Sequence, residues 1–101
     1  MKKGYCNDFL EIASIGHAKV YLAATLMSRS IAEKTSGWIK PMGDVFIYVL
    51  EGLLSIEYKD LKQSKITIGR NEFILLPKES EYLIFADEMT IYIAIVDESS
   101  I

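Results

Sequence analysis

Apolar residues recur at every second position through much of the chain. Ala18, Val20, Leu22, Ala24 and Leu26 alternate with Lys19, Tyr21, Ala23 and Thr25, which predicts an extended strand. After a break around Thr35-Ser36-Gly37 and Pro41-Met42-Gly43, the run Val45 to Leu50 is dominated by β-branched and aromatic residues, as a buried strand should be, and Glu51-Gly52 turns it. Leu54, Ile56 and Tyr58 alternate with Ser55, Glu57 and Lys59, giving a strand with one wet face. The polar stretch Asp60 to Ser64 reads as a hairpin loop, and Ile66 and Ile68 return on the same apolar face. Gly69 to Glu72 forms the next turn, Phe73 to Leu76 the next strand, and Pro77 its stop. Tyr82 and Ile84 continue the pattern, Ala86-Asp87-Glu88 is expected to turn, and Met89 to Val96 is the final strand. Short strands between regular turns predict an all-β sandwich or barrel, with the barrel preferred.

The first sixteen residues do not share this regularity. Phe9, Ile12 and Ala13, with acidic Asp8 and Glu11, fit one or two helical turns ending at Gly16, with strand or coil as alternatives. They read as a short N-terminal extension to the barrel.

Composition sharpens the picture. A chain of 101 residues allows one domain, and half of it is hydrophobic, so it has enough apolar surface to fold without disulfides or a structural metal. Fourteen isoleucines and eleven aromatic residues favour strands over helices. The net charge of −3 removes the positive footprint of a nucleic-acid binder. No apolar run approaches the roughly 20 residues that cross a bilayer, and Asn7, Asp8 and Glu11 interrupt any signal-peptide core, so a soluble protein is expected. The single Cys6 cannot form an internal disulfide, which fits the cytoplasm.

Two segments resemble the consensus motifs of the cupin superfamily. The first is Val45 to Gly52; the second runs from Asn71 through Pro77 to Tyr82, with the family's spacing of Gly, five residues, Pro, one residue, Gly, two residues, His. The resemblance covers about residues 38 to 96 and implies an antiparallel jelly-roll barrel. In metal-binding cupins, two His and a Glu of the first motif and one His of the second hold iron, manganese, nickel or zinc. Here the Glu position is Val45, the paired His positions fall among Trp38, Ile39, Lys40 and Pro41, and the second-motif His position is Tyr82. Aliphatic and cationic side chains do not coordinate a divalent ion, so neither a metal nor another cofactor is expected. The ending Met89 to Val96 and the metal-poor motif are similar to cupins associated with ethanolamine utilisation.

Candidate chemistry outside the motifs is sparse. His17 is the single histidine and reads as a surface residue, and Cys6 reads as an ordinary thiol for want of a nearby base. There is no phosphate loop, dinucleotide fingerprint or zinc-protease motif. Alternation places Val45, Ile47, Val49, Leu54, Ile56, Tyr82 and Ile84 inward. These side chains either fill the barrel or line a greasy pocket for a small organic ligand. Trp38 and Lys40 stand as candidate rim residues, offering a stacking face and a cation to an anionic ligand such as a carboxylate or phosphate, with Tyr82 beside them. Tyr82 has a second reading as plain core, its hydroxyl satisfied by backbone.

Two functions are carried forward. One is a small-molecule-binding cupin with a sensor or accessory role; the other is a metal-independent isomerase, epimerase or lyase with Tyr82 as acid or base and Lys40 lowering its pKa. Because both faces of Val45–Leu50 and Ile91–Val96 are apolar, a homodimer covering Phe46, Tyr48 or Tyr92 is also expected.

Overall fold

The computed structural model describes residues 4–59 and 64–98. Two antiparallel sheets make up the jelly roll, and its sheet is not closed into a full barrel. The larger sheet has the order β1 (Cys6–Ile15), β2 (Ala18–Met27), β7 (Tyr82–Asp97), β3 (Val45–Glu51) and β6 (Phe73–Leu76). The smaller pairs β5 (Lys65–Gly69) with β4 (Leu53–Tyr58), and β4 with the first part of β7. The hairpin loop expected between β4 and β5 falls largely on residues 60–63, outside the described residues.

Three expectations are corrected. Residues 6–15 take the strand alternative rather than the helical turns: β1 pairs with β2 from Cys6↔Leu26 to Ile15↔Ala18. Gly16, with φ of 59°, makes the tight connection that a Cβ would strain. Ala86-Asp87-Glu88 is not a turn, since β7 runs through it as one sixteen-residue strand. Its polar residues are exposed where the strand passes from one sheet to the other: Ser55↔Phe85 belongs to the small sheet, and Ile91 onward lies between β2 and β3. The third correction is a short helix, α1 (Arg29–Thr35), within a stretch that pattern alone left as connection.

Local chemistry explains α1. Ser28 caps it by accepting from the Ile31 N–H at 3.4 Å, and Gly37, with φ of 67°, ends it by donating to the Ala32 carbonyl at 2.8 Å. Its buried Ala32 packs with Met27, Leu83 and Phe85, so α1 covers the side of β7 that faces away from the barrel interior. Arg29 then reaches β4, donating to both carboxylate oxygens of Glu57 at 2.9 and 2.6 Å. This hydrogen-bonded ion pair holds the Glu57 carboxyl below its ordinary pKa. A depressed carboxyl pKa contributes stability above the unfolded value and loses it as pH falls through the folded one. Glu57→Gln is therefore expected to lower the urea midpoint at neutral pH and to leave it unchanged in strong acid. An equal loss at both pH values would mean that the charge contributes nothing.

Register settles which way the large sheet faces. Glu11, Tyr21, Ala94, Ile47 and Ile74 form one cross-strand row, and Phe9, Ala23, Tyr92 and Val49 form another; both look into the barrel. Leu10, Leu22, Ile93, Tyr48 and Phe73 make an intervening row on the opposite face, as do Ala13, Val20, Ile95, Phe46 and Leu75. The more regular apolar set of β2 thus looks outward. The inward set is the one containing Tyr21, Ala23, Thr25 and Met27.

Tight approaches hold the ends of the roll. Gly43 is buried so closely against the Asp97 carbonyl that any Cβ would overlap it. Asn71 takes a left-handed φ of 67°, which Asn tolerates better than other side chains. Its N–H donates to Val49 at 2.8 Å, and its side-chain oxygen accepts from the Tyr48 hydroxyl at 3.0 Å. The second motif's leading Gly position is therefore conformationally Gly-like here.

Candidate functional site

The inward rows do not fill the barrel. They line a cavity of about 320 Å³ between the sheets that is partly open to solvent. The positions at which the sequence motifs meet converge on it: Val45 from β3, Ile39 and Pro41 from the segment before β3, and Tyr82 from the start of β7. Ile47, Ile84, Ala94 and Val96 continue the aliphatic wall; Tyr21, Tyr92, Phe9 and Met27 supply its aromatic and thioether surface. Among the described residues, none of the side chains lining the cavity is charged.

Tyr82 is fully buried and held from several directions. Its hydroxyl donates to the Pro77 carbonyl at 2.7 Å, and its backbone exchanges two hydrogen bonds with Ile39 at 2.7 and 2.8 Å. Its ring meets Tyr58 edge-on at 5.2 Å. Burial raises its pKa above the ordinary phenol value, against a smaller lowering from Ser80. A general base needs the opposite shift.

The other two candidate rim residues lie elsewhere. Trp38 is half-buried beside the Met27, Ala32, Leu83 and Phe85 cluster under α1, with the Lys59 ammonium 5.9 Å from its ring centroid. Lys40 is exposed and makes no hydrogen bond or ion pair with Tyr82. Ile39 and Pro41, rather than Trp38 and Lys40, look into the cavity because the Ile39↔Tyr82 bridge fixes the phase of this stretch. Tyr92, expected to seek cover from a partner, is 2% exposed and lies in the core of its own barrel.

The polar atoms of the lining are mostly engaged. The Asn7 side-chain oxygen accepts from Thr25 at 3.1 Å, and the Ser36 hydroxyl donates to the Ala32 carbonyl at 3.2 Å. The Tyr21 hydroxyl has no hydrogen-bond partner among the described residues, but the surface presented to the cavity is almost wholly apolar. Sequence alternation missed Tyr21 because Leu22 and its even-numbered neighbours are the more apolar set.

A metal does not fit this donor set. Among the described residues no three His, Cys, Asp or Glu side chains converge, and the positions matching the family's ligands offer the cavity one phenol tied to a carbonyl. Cys6 is no activated nucleophile: its thiol donates to Asp8 at 3.2 Å, which, followed by partial burial, raises its pKa. His17 is exposed at the β1–β2 turn.

No family profile matches the sequence, and no curated protein does. Solved structures do. A cupin-2 domain protein from Shewanella frigidimarina is 22% identical, with TM-score 0.72 over 89% of this chain and 79% of that one. A cupin superfamily protein from Desulfitobacterium hafniense is 12% identical, with TM-score 0.73 over 96% of this chain and 82% of that one. The EutQ protein of Clostridium difficile is 13% identical, with TM-score 0.76 over 94% of this chain and 64% of that one. Among the described residues no helix is long and apolar enough to cross a membrane. At these identities the likeness establishes architecture, and it agrees with the motifs and with the strand order: the chain has the cupin fold.

Proposed function

We propose that this protein binds a small, uncharged, largely apolar molecule inside its barrel and acts as a sensor or accessory protein, without metal-dependent catalysis. The observation that carries this reading is the wholly uncharged lining of a 320 Å³ cavity. Ligand pockets begin at about 300 Å³, and an apolar cavity of about 150 Å³ already accepts benzene. A buried carboxylate or phosphate would lose its hydration and meet no cation, whereas a hydrocarbon skeleton gains by leaving water. The anionic ligand expected from Lys40 and Trp38 is accordingly the weaker choice. The isomerase reading also loses support, because Tyr82 has neither its cation nor a lowered pKa.

Thermal denaturation with benzene, toluene and ethylbenzene, set against benzoate and a hexose phosphate, tests the proposal. At 100 times its Kd a ligand stabilises by about 2.7 kcal/mol, which raises Tm by roughly 10 °C or more for a domain of this size. The apolar series is expected to produce such a rise and the anions none. A response to the anions alone overturns the ligand class. About one equivalent of iron, manganese, nickel or zinc per purified chain would overturn the metal-independent part.

A further inference from the structure

Most of the cavity wall is buried, but three of its large apolar side chains reach solvent. Phe9 on β1 is 55% exposed, and Ile39 and Met42, in the segment before β3, are 37% and 68% exposed. The cavity therefore opens between β1 and that segment. The segment is pinned at both ends. Ile39 exchanges its two backbone hydrogen bonds with Tyr82 at 2.7 and 2.8 Å. At the far end Gly43 is seated against the Asp97 carbonyl, and the Asp97 N–H donates to the Asp44 carbonyl at 2.9 Å. With the backbone held, the Met42 side chain is the movable part of the mouth. An unbranched thioether with three rotatable bonds can swing from solvent onto an irregular apolar surface, so it suits closure over a ligand.

From this placement we infer that Met42 is a modification site for peroxides, and that its oxidation lowers the affinity of the cavity for apolar ligands; the inference rests on the binding function proposed above. The sulfur lone pair forms a bond to one peroxide oxygen as the O–O bond breaks, and the proton on that oxygen passes to the leaving one. Sulfur loses two electrons and the peroxide gains them, giving methionine sulfoxide and water, or an alcohol where the oxidant is an alkyl hydroperoxide.

Exposure decides which sulfur reacts. Met27, the other methionine of the lining, is 2% exposed and shielded inside the wall, whereas Met42 is open to a dissolved oxidant. The chemical consequence follows from the wall itself. A sulfoxide oxygen is a strong acceptor, and pressing it against an apolar ligand strips its hydration without a replacement bond. The oxidised side chain stays in water, and the mouth loses the group that closes it. Met89 supplies a comparison within the same chain, because it is 47% exposed and lies outside the lining.

Titration of toluene into the whole chain before and after treatment with hydrogen peroxide tests the inference, with the added oxygen located by peptide mass. The wild type oxidised at Met42 is expected to bind toluene at least about 10-fold more weakly. Methionine sulfoxide reductases with a thiol reductant are expected to restore the affinity. Met42→Leu should bind like the untreated wild type and stay unaffected by peroxide, and Met89→Leu should remain sensitive. Met42→Gln, which places a polar group at the same point, should bind weakly without any oxidant. Unchanged affinity after conversion of Met42 overturns the inference, as does an equal loss in Met42→Leu, or a Met42 that stays a thioether while Met89 is oxidised. An untreated wild type with no affinity for toluene overturns the binding function itself and this inference with it.

Discussion

Gly52→Ala is expected to cost about 2–4 kcal/mol, a large part of the 5–15 kcal/mol that holds a typical domain together. Two independent penalties combine at this residue. Its φ of 91° lies where a Cβ strains the backbone, and the added carbon would stand 2.6 Å from both the Met89 carbonyl and the Thr90 hydroxyl. The hydroxyl cannot yield cheaply. It accepts from the Leu53 N–H at 3.1 Å and lies 2.9 Å from the Leu53 carbonyl, so it fixes the β3–β4 turn against β7 while being fully buried itself. Gly16→Ala separates the two penalties, because Gly16 also has a positive φ but nothing within 4 Å of the added carbon. Urea denaturation should show a loss of about 1 kcal/mol for Gly16→Ala and a clearly greater one for Gly52→Ala. Equal losses would show that the approach to β7 is not costly.

Ala94→Phe is expected to abolish uptake of the apolar ligand while leaving the fold intact, with affinity for toluene falling at least about 100-fold. Ala94 sits mid-strand on β7, between Tyr21 and Ile47 on the inward face, where its small side chain leaves part of the cavity open. A phenyl ring at that position enters the void instead of displacing packed neighbours, so the usual overpacking cost is largely avoided. Thermal denaturation with and without toluene checks both halves. The variant should melt at or above the wild-type temperature and respond no further to ligand. A variant that still gains the wild-type shift would place the binding site elsewhere, and one that unfolds would mean that the cavity is smaller in solution.

The strands that formed clear patterns are those whose environment is simple. β4 has one wet face, so Leu54, Ile56 and Tyr58 announced both the strand and its inward side. β1 was hidden because it is an edge strand with one neighbour, exposed from Asp8 to Ile15, and nothing there forces alternation. α1 was hidden by its length: seven residues bury a single alanine, and its cap and stop are the signals that remain. Where both faces of a strand are apolar, as in β2 and β7, period two reveals the strand and conceals its orientation. That ambiguity misassigned Tyr92 and passed over Tyr21. The candidate site divides along the same line. Tyr82 and Val45 lie on regular strands and were legible, whereas Trp38 and Lys40 precede β3 in a stretch whose phase depends on one bridge to Tyr82.

The sharing of β7 between the two sheets also bears on how the chain reaches this structure. Ala18 pairs with Asp97 and Val45 with Val96, so segments far apart in sequence must meet before either sheet acquires its central member. The entropy of closing such loops is spent before the contacts that reward it exist, which places this topology among slow-folding small proteins, on a scale of milliseconds to seconds. Until β7 arrives, the hairpin of β1 and β2 has no stable partner on either side, and its two greasy faces are open to neighbouring chains. Solubility during synthesis is therefore governed by how quickly one strand docks.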